Sequence, residues 1–127
     1  MVIGIGIDLV NIERIEKAVL RWSDAFRDRV FTKGELGYCD RQKHPAAHLA
    51  ARFGVKEAAL KAFGTGLSGG ATWKDIEVVR GESGQPGIVF SGRLGRLAQE
   101  KGVTGALVSM SHDSGFAVAQ VVLTGEG

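Results

Sequence analysis

The sequence predicts an α+β fold in one domain over residues 1–127: an N-terminal strand, helices that include one long central helix, then antiparallel hairpins. Three observations carry this. Residues 2–10 alternate with a period of two. Residues 46–63 run without an internal proline, with Pro45 ahead and Gly64 behind. The second half holds two pairs of short apolar runs, each pair divided by turn residues.

Composition narrows the class further. Hydrophobic residues make up 44% and charged residues 24% of the 127, enough for a packed core and unlike disorder, collagen or coiled coil. Cys39 is the one cysteine, so no internal disulfide forms, and a reducing, cytoplasmic compartment is expected. The start lacks a basic segment and meets Asp8, unlike a signal peptide, and no apolar run nears the ~20 residues of a membrane span. A net charge of +2 argues against nucleic acid as a partner. Glycine is abundant, 19 residues against 2 prolines, which points to tight turns and close backbone approaches.

The elements follow in order. In the strand Val2 to Val10, Ile3, Ile5, Ile7 and Leu9 form an aliphatic face, and Gly4, Gly6 and Asp8 lie on the other. Asn11 suits the N-cap of a helix running to about Trp22, with an apolar stripe of Ile12, Ile15, Val19 and Trp22. Arg14, Lys17 and Arg21 fall opposite that stripe. Residues 23–43 are charged and mixed in sign, fitting short helices and turns. The long helix, Ala46 to Phe63, carries Leu49, Phe53 and Leu60 on one line and ends at Gly64. A glycine loop runs to Gly70. Ile76 to Arg80 and Gly87 to Phe90 form a hairpin around Gly84-Gln85-Pro86, and Ser91 suits the cap of a short helix closed by Gly102. Ala106 to Ser111 and Phe116 to Leu123 form the second hairpin, turning at Asp113-Ser114-Gly115.

Several residues could carry chemistry. Lys56 and Glu57 sit at the margins of the long helix's apolar line, where an unpaired buried charge costs several kcal/mol. Glu57 therefore needs a cation: Lys61 one turn on, a base from another element, or a metal. An exposed Glu57–Lys61 pair worth ~0.3–0.5 kcal/mol is the plain alternative. Asp8 is either a second capping oxygen for the next helix or a carboxylate beside a cleft opened by the glycines. Paired with Glu57, it makes a hard-oxygen Mg²⁺ site. In Ser109-Met110-Ser111-His112-Asp113 a hydrolase triad is disfavoured, because strand neighbours point to opposite faces and no nucleophile elbow is present. His112 is then an inert turn residue or part of another site. The loop from Gly64 is either mobile or a backbone cradle for phosphate, without the P-loop pattern. Cys39, His44 and His48 lack a paired-ligand motif for zinc. The Arg14, Lys17, Arg21 stripe is a solvated face or the footprint of an acidic partner.

Three segments together are similar to the short, trimeric 4′-phosphopantetheinyl transferases, the holo-acyl-carrier-protein synthases: Ile5-Gly6-Ile7-Asp8 with Arg14 following; Arg52-Phe53-Gly54-Val55-Lys56-Glu57-Ala58 continuing to Lys61-Ala62-Phe63-Gly64-Thr65-Gly66; and Ser109-Met110-Ser111-His112-Asp113. The match runs nearly end to end. It departs at Gly54 and Val55, where the family favours small residues such as alanine; Gly54 is expected to loosen the helix by up to ~1 kcal/mol.

The resemblance implies the family's fold and a Mg²⁺-dependent reaction in fatty-acid and lipid biosynthesis. Phosphopantetheine moves from coenzyme A, the co-substrate, to a serine of apo acyl carrier protein, and adenosine 3′,5′-bisphosphate leaves. It implies metal ligands Asp8 and Glu57, with Glu57, Lys61 and His112 in catalysis. Arg52, Lys56, Gly64, Thr65, Gly66, Ser109, Ser111 and His112 would contact coenzyme A. Arg14 and Arg21 would meet the carrier protein. It also implies a homotrimer with sites between protomers. The alternative is a non-catalytic oligomeric module that binds coenzyme A or carrier protein.

Overall fold

The computed structural model describes residues 1–126. Strand β1 (Val2–Asn11) leads into helix α1 (Ile12–Val30), followed by α2 (Lys33–Asp40) and the long α3 (Pro45–Phe63). Strands β2 (Ile76–Arg80) and β3 (Pro86–Phe90) form a hairpin, then come α4 (Gly92–Glu100), β4 (Val103–Asp113) and β5 (Phe116–Gly125). The larger sheet is antiparallel in the order β1-β5-β4, so the first strand lies against the last; β2 and β3 make a separate antiparallel pair. Ser114 and Gly115, both at positive φ, turn the β4–β5 hairpin.

Helix α3 lies on the inner face of the larger sheet. Gly4, Gly6 and Asp8 of β1 point that way, beside Ala117, Ala119, Val121 and Leu123 of β5. The two glycines are there because nothing larger fits. A Cβ on Gly4 would stand 1.9 Å from the carbonyl oxygen of Ala62, and one on Gly6 1.9 Å from that of Ala58. The glycine face is thus filled by α3 itself rather than left open for a ligand. Gly54 serves the same approach from the helix side: a Cβ would lie 3.3 Å from that of Ala119. The expected propensity cost of Gly54 is set against this close packing. Nor is α3 amphipathic. Alanines, Leu49, Val55, Leu60 and Phe63 are buried around most of its circumference, as for a helix with neighbours on several sides.

Two expectations about caps and lengths change. The first helix continues to Val30 past a break at Ser23, whose φ of 50° and ψ of −130° interrupt it one residue beyond the expected end. Trp22 stands exposed there instead of completing the apolar stripe. At α4 the Ser91 side chain makes no capping bond; Asp75 caps instead, its carboxylate accepting from the Leu94 N–H at 3.3 Å.

Lys56 lies wholly in the core. It pairs with buried Glu35 at 2.9 Å and donates to the carbonyl oxygens of Trp73 and Ile76. Glu35 closes a capping box with Thr32 and accepts from the Val78 N–H at 2.8 Å, so the pair joins α2, α3 and β2. Burial, opposed by Glu35, pushes the Lys56 pKa down. Lys56→Met should lower stability by about 3 kcal/mol or more, because Glu35 stays buried without its cation. Urea unfolding measures this; a loss under about 1 kcal/mol would contradict it.

Candidate active site

Asp8 faces inward because it shares parity with Gly4 and Gly6, and the close seating of α3 brings Glu57 and Lys61 up beside it. These three, with Arg14 and Phe26 of α1 and Phe53 of α3, line a cleft of about 430 Å³. Lys61 Nζ donates to Asp8 Oδ1 at 3.0 Å and to the Ile7 carbonyl oxygen at 3.0 Å. The Asp8 side chain is 16% exposed and that of Lys61 54%. The plain alternatives for both acids therefore give way. Lys61 pairs with Asp8 rather than Glu57, and the α1 cap is Asn11, whose Oδ1 accepts from the Arg14 N–H at 3.3 Å. Burial raises the Glu57 pKa from its ordinary value; the Asp8 charge adds to the rise and Lys61 opposes it. Two carboxylates from separate elements face one cleft against one paired lysine. This donor set suits a hard divalent cation with room for water and phosphate oxygens.

A second cluster sits on the opposite flank of α3. At about 100° per residue, His48 and Arg52 point away from Glu57 and Lys61. The Arg52 guanidinium lies 4.4 Å over the Tyr38 ring and that of Arg80 lies 5.1 Å over it. His48 meets His112 of β4 at 5.8 Å between ring centres. Burial lowers the His48 pKa, and Arg52, His112, Arg80 and His44 push in the same direction. The result is a cationic, aromatic surface fit for a phosphate and a flat ring. Tyr38, His48 and Arg80 were not legible as members of it. His48, four residues before Arg52, carried the available signal.

The remaining expected residues divide. Within one chain His112 is not brought to Asp8, Glu57 and Lys61. It pairs across β5 with Ala117, while Ser109 and Ser111 pair with Gln120 and Val118 on the outer face. Within one chain His112 and the two serines therefore lie on opposite faces of β4, an edge strand. Lys56, with its ammonium taken up in the core, is corrected from a ligand contact to a structural cation. Arg52 is buried but presents its guanidinium to Tyr38. Gly64 ends α3 at a φ of 78°, and among the described residues the Thr65 hydroxyl is the buried side-chain polar atom without a hydrogen-bond partner. Arg14 joins the cleft, while Arg21 lies 5.0 Å over Trp22, outside its lining.

Comparison with known proteins gives one consistent answer. A model described as the 4′-phosphopantetheinyl transferase superfamily matches residues 4–120. The chain is 46% identical over 123 residues to a holo-[acyl-carrier-protein] synthase of Geobacter sp. (strain M21), covering 97% of this chain and 98% of that one. It is similar to the crystal structure of such a synthase from Neisseria meningitidis, with a TM-score of 0.89 and 32% identity over 98% of this chain and 99% of that one. The Helicobacter pylori synthase in complex with coenzyme A aligns with a TM-score of 0.83 and 32% identity, over 94% of this chain and 99% of that one.

Proposed function

The chain belongs to the 4′-phosphopantetheinyl transferase superfamily, and from that membership we propose that it transfers 4′-phosphopantetheine from coenzyme A to a serine of apo acyl carrier protein. The observation that carries this reading is the shared cleft of Asp8, Glu57 and Lys61. Asp8 and Glu57 would hold Mg²⁺, which when bound supplies charge neutralisation at the diphosphate of coenzyme A. Glu57, its proton affinity raised by burial, takes the proton of the attacking serine hydroxyl. The serine oxygen bonds to the β-phosphorus as the bond from that phosphorus to the bridging oxygen breaks. Adenosine 3′,5′-bisphosphate departs with the electron pair. Lys61 offers its ammonium to the charge that develops on the leaving phosphate.

The Arg52–His48–His112 flank would take the nucleotide end of coenzyme A, and the Gly64–Gly66 turn its phosphates, where the unpartnered Thr65 hydroxyl favours a ligand. His112 and the carboxylates lie on opposite flanks of α3, so a complete site calls for a second copy. The outer sheet face supports association: Ile5, Ile7, Leu9 and Leu107 stand mostly exposed on it. A homotrimer with clefts between protomers satisfies both observations, and Ser109 and Ser111 then belong to its interface. Such a reaction serves fatty-acid biosynthesis in the cytoplasm. No helix among the described residues is long and apolar enough to cross a membrane.

The test is the mass of an apo carrier protein after incubation with coenzyme A and Mg²⁺. A gain of one phosphopantetheine supports the transferase; an unchanged mass favours the non-catalytic binding module. Arg21→Glu, outside the cleft, should raise KM for the carrier protein about tenfold and leave KM for coenzyme A within about twofold. An equal effect on both would remove Arg21 from the docking surface.

A further inference from the structure

Lys61 stands on an atom that the proposed metal needs. Its ammonium is bonded to Asp8 Oδ1 and to the Ile7 carbonyl oxygen, both at 3.0 Å. Among the described residues it is the cation paired with Asp8. Asp8 is largely shielded from water, so its charge needs a partner whenever no metal is bound. Lys61 is more than half exposed on a flexible stem, so it is free to leave when a better partner arrives.

We propose that Lys61 is the exchangeable counter-ion of Asp8: it holds the carboxylate in the free enzyme, gives it up to the divalent cation, and moves to the diphosphate of coenzyme A. This rests on the metal reading above and adds a coupling to it. The cation must displace Lys61, which weakens its binding to the free enzyme. The diphosphate gives the displaced ammonium a new partner, so each ligand favours the other. The coupling is reciprocal, because a shared intermediary biases both equilibria equally. It also disfavours a bare cation sitting in the cleft without substrate.

The experiment uses Mn²⁺ as the probe, titrated by electron paramagnetic resonance into the free protein and into the protein saturated with coenzyme A. Lys61→Met should bind Mn²⁺ about fivefold more tightly than the wild type in the absence of coenzyme A, the scale of one ion pair removed. The tightening caused by coenzyme A should shrink by a similar factor. Arg14→Met removes a positive charge from the same cleft. Among the described residues Arg14 has no ion pair to Asp8. It should shift Mn²⁺ affinity less than about twofold, since only the general field changes. Unchanged or weaker Mn²⁺ binding in Lys61→Met, or an equal gain in Arg14→Met, would overturn the exchange while leaving the metal site intact. Mn²⁺ binding that survives Asp8→Asn unaltered would overturn the metal site and the exchange together.

Discussion

Glu57→Gln should lower turnover by about a thousandfold or more, the scale of losing a group that both organises charge and accepts the proton. The substitution keeps the shape of the side chain and removes its charge. Stability should move the other way. Burial, and then the Asp8 charge, raise the Glu57 pKa in the folded state, so the folded chain binds this proton more tightly than the unfolded chain. That contribution is fully present below the unfolded value and is lost as pH rises through the raised folded value. At neutral pH the ionised Glu57 therefore works against folding. Glu57→Gln should be at least as stable as the wild type at pH 7, and its advantage should disappear in acid below the ordinary carboxylate range. Single-turnover transfer followed by mass spectrometry, with urea unfolding at both pH values, measures the two effects. Near-normal turnover would remove Glu57 from the chemistry. A marked stability loss at neutral pH would make its role structural.

Gly6→Ala should destabilise the fold by more than about 4 kcal/mol, placing it among the exceptional single substitutions. The added Cβ would lie 1.9 Å from the carbonyl oxygen of Ala58 and 2.9 Å from the backbone nitrogen of Ala62. Both are backbone atoms of α3, so no side-chain rotation relieves the contact. Strand and helix must part, and Asp8 moves away from Glu57 and Lys61 with the strand. A folded fraction rescued by low temperature should thus still be inactive. Gly81→Ala is the contrast: the nearest atom to its Cβ is the Gln85 carbonyl oxygen at 3.6 Å, an ordinary contact, and the change should stay within about 0.5 kcal/mol. Wild-type stability in Gly6→Ala would mean that β1 and α3 are not so closely seated.

The parts of the molecule that were legible in advance are those governed by local rules. Alternation revealed β1, the Pro45 and Gly64 pair bounded α3 to within a residue, and turn residues located both hairpins. The pairing of β1 with β5 joins the two ends of the chain, and no local signal encodes it. Helix α2 falls within the stretch expected to hold short helices and turns, but its bounds were not read although Thr32 and Glu35 spell a capping box, because the charges around them obscured it. Lys56 shows a different limit. A lysine at the edge of an apolar line reads as exposed or ligand-bound, and its burial depends on Glu35, 21 positions earlier. Asp8, Glu57 and Lys61 were identified as a group, yet which acid Lys61 would choose depends on how far Gly4 and Gly6 let the helix descend. Strand parity, a local rule, puts His112 and its serine neighbours on opposite faces of β4, whereas the meeting of His112 with His48 depends on where α3 lies.

The central claim is that Asp8 and Glu57 hold one divalent cation between them. Anomalous diffraction from crystals grown with Mn²⁺ and coenzyme A tests it most directly. The expected result is a single peak bonded to a carboxylate oxygen of each residue and to the diphosphate, with Lys61 no longer on Asp8. A peak on the diphosphate that touches neither carboxylate would contradict it.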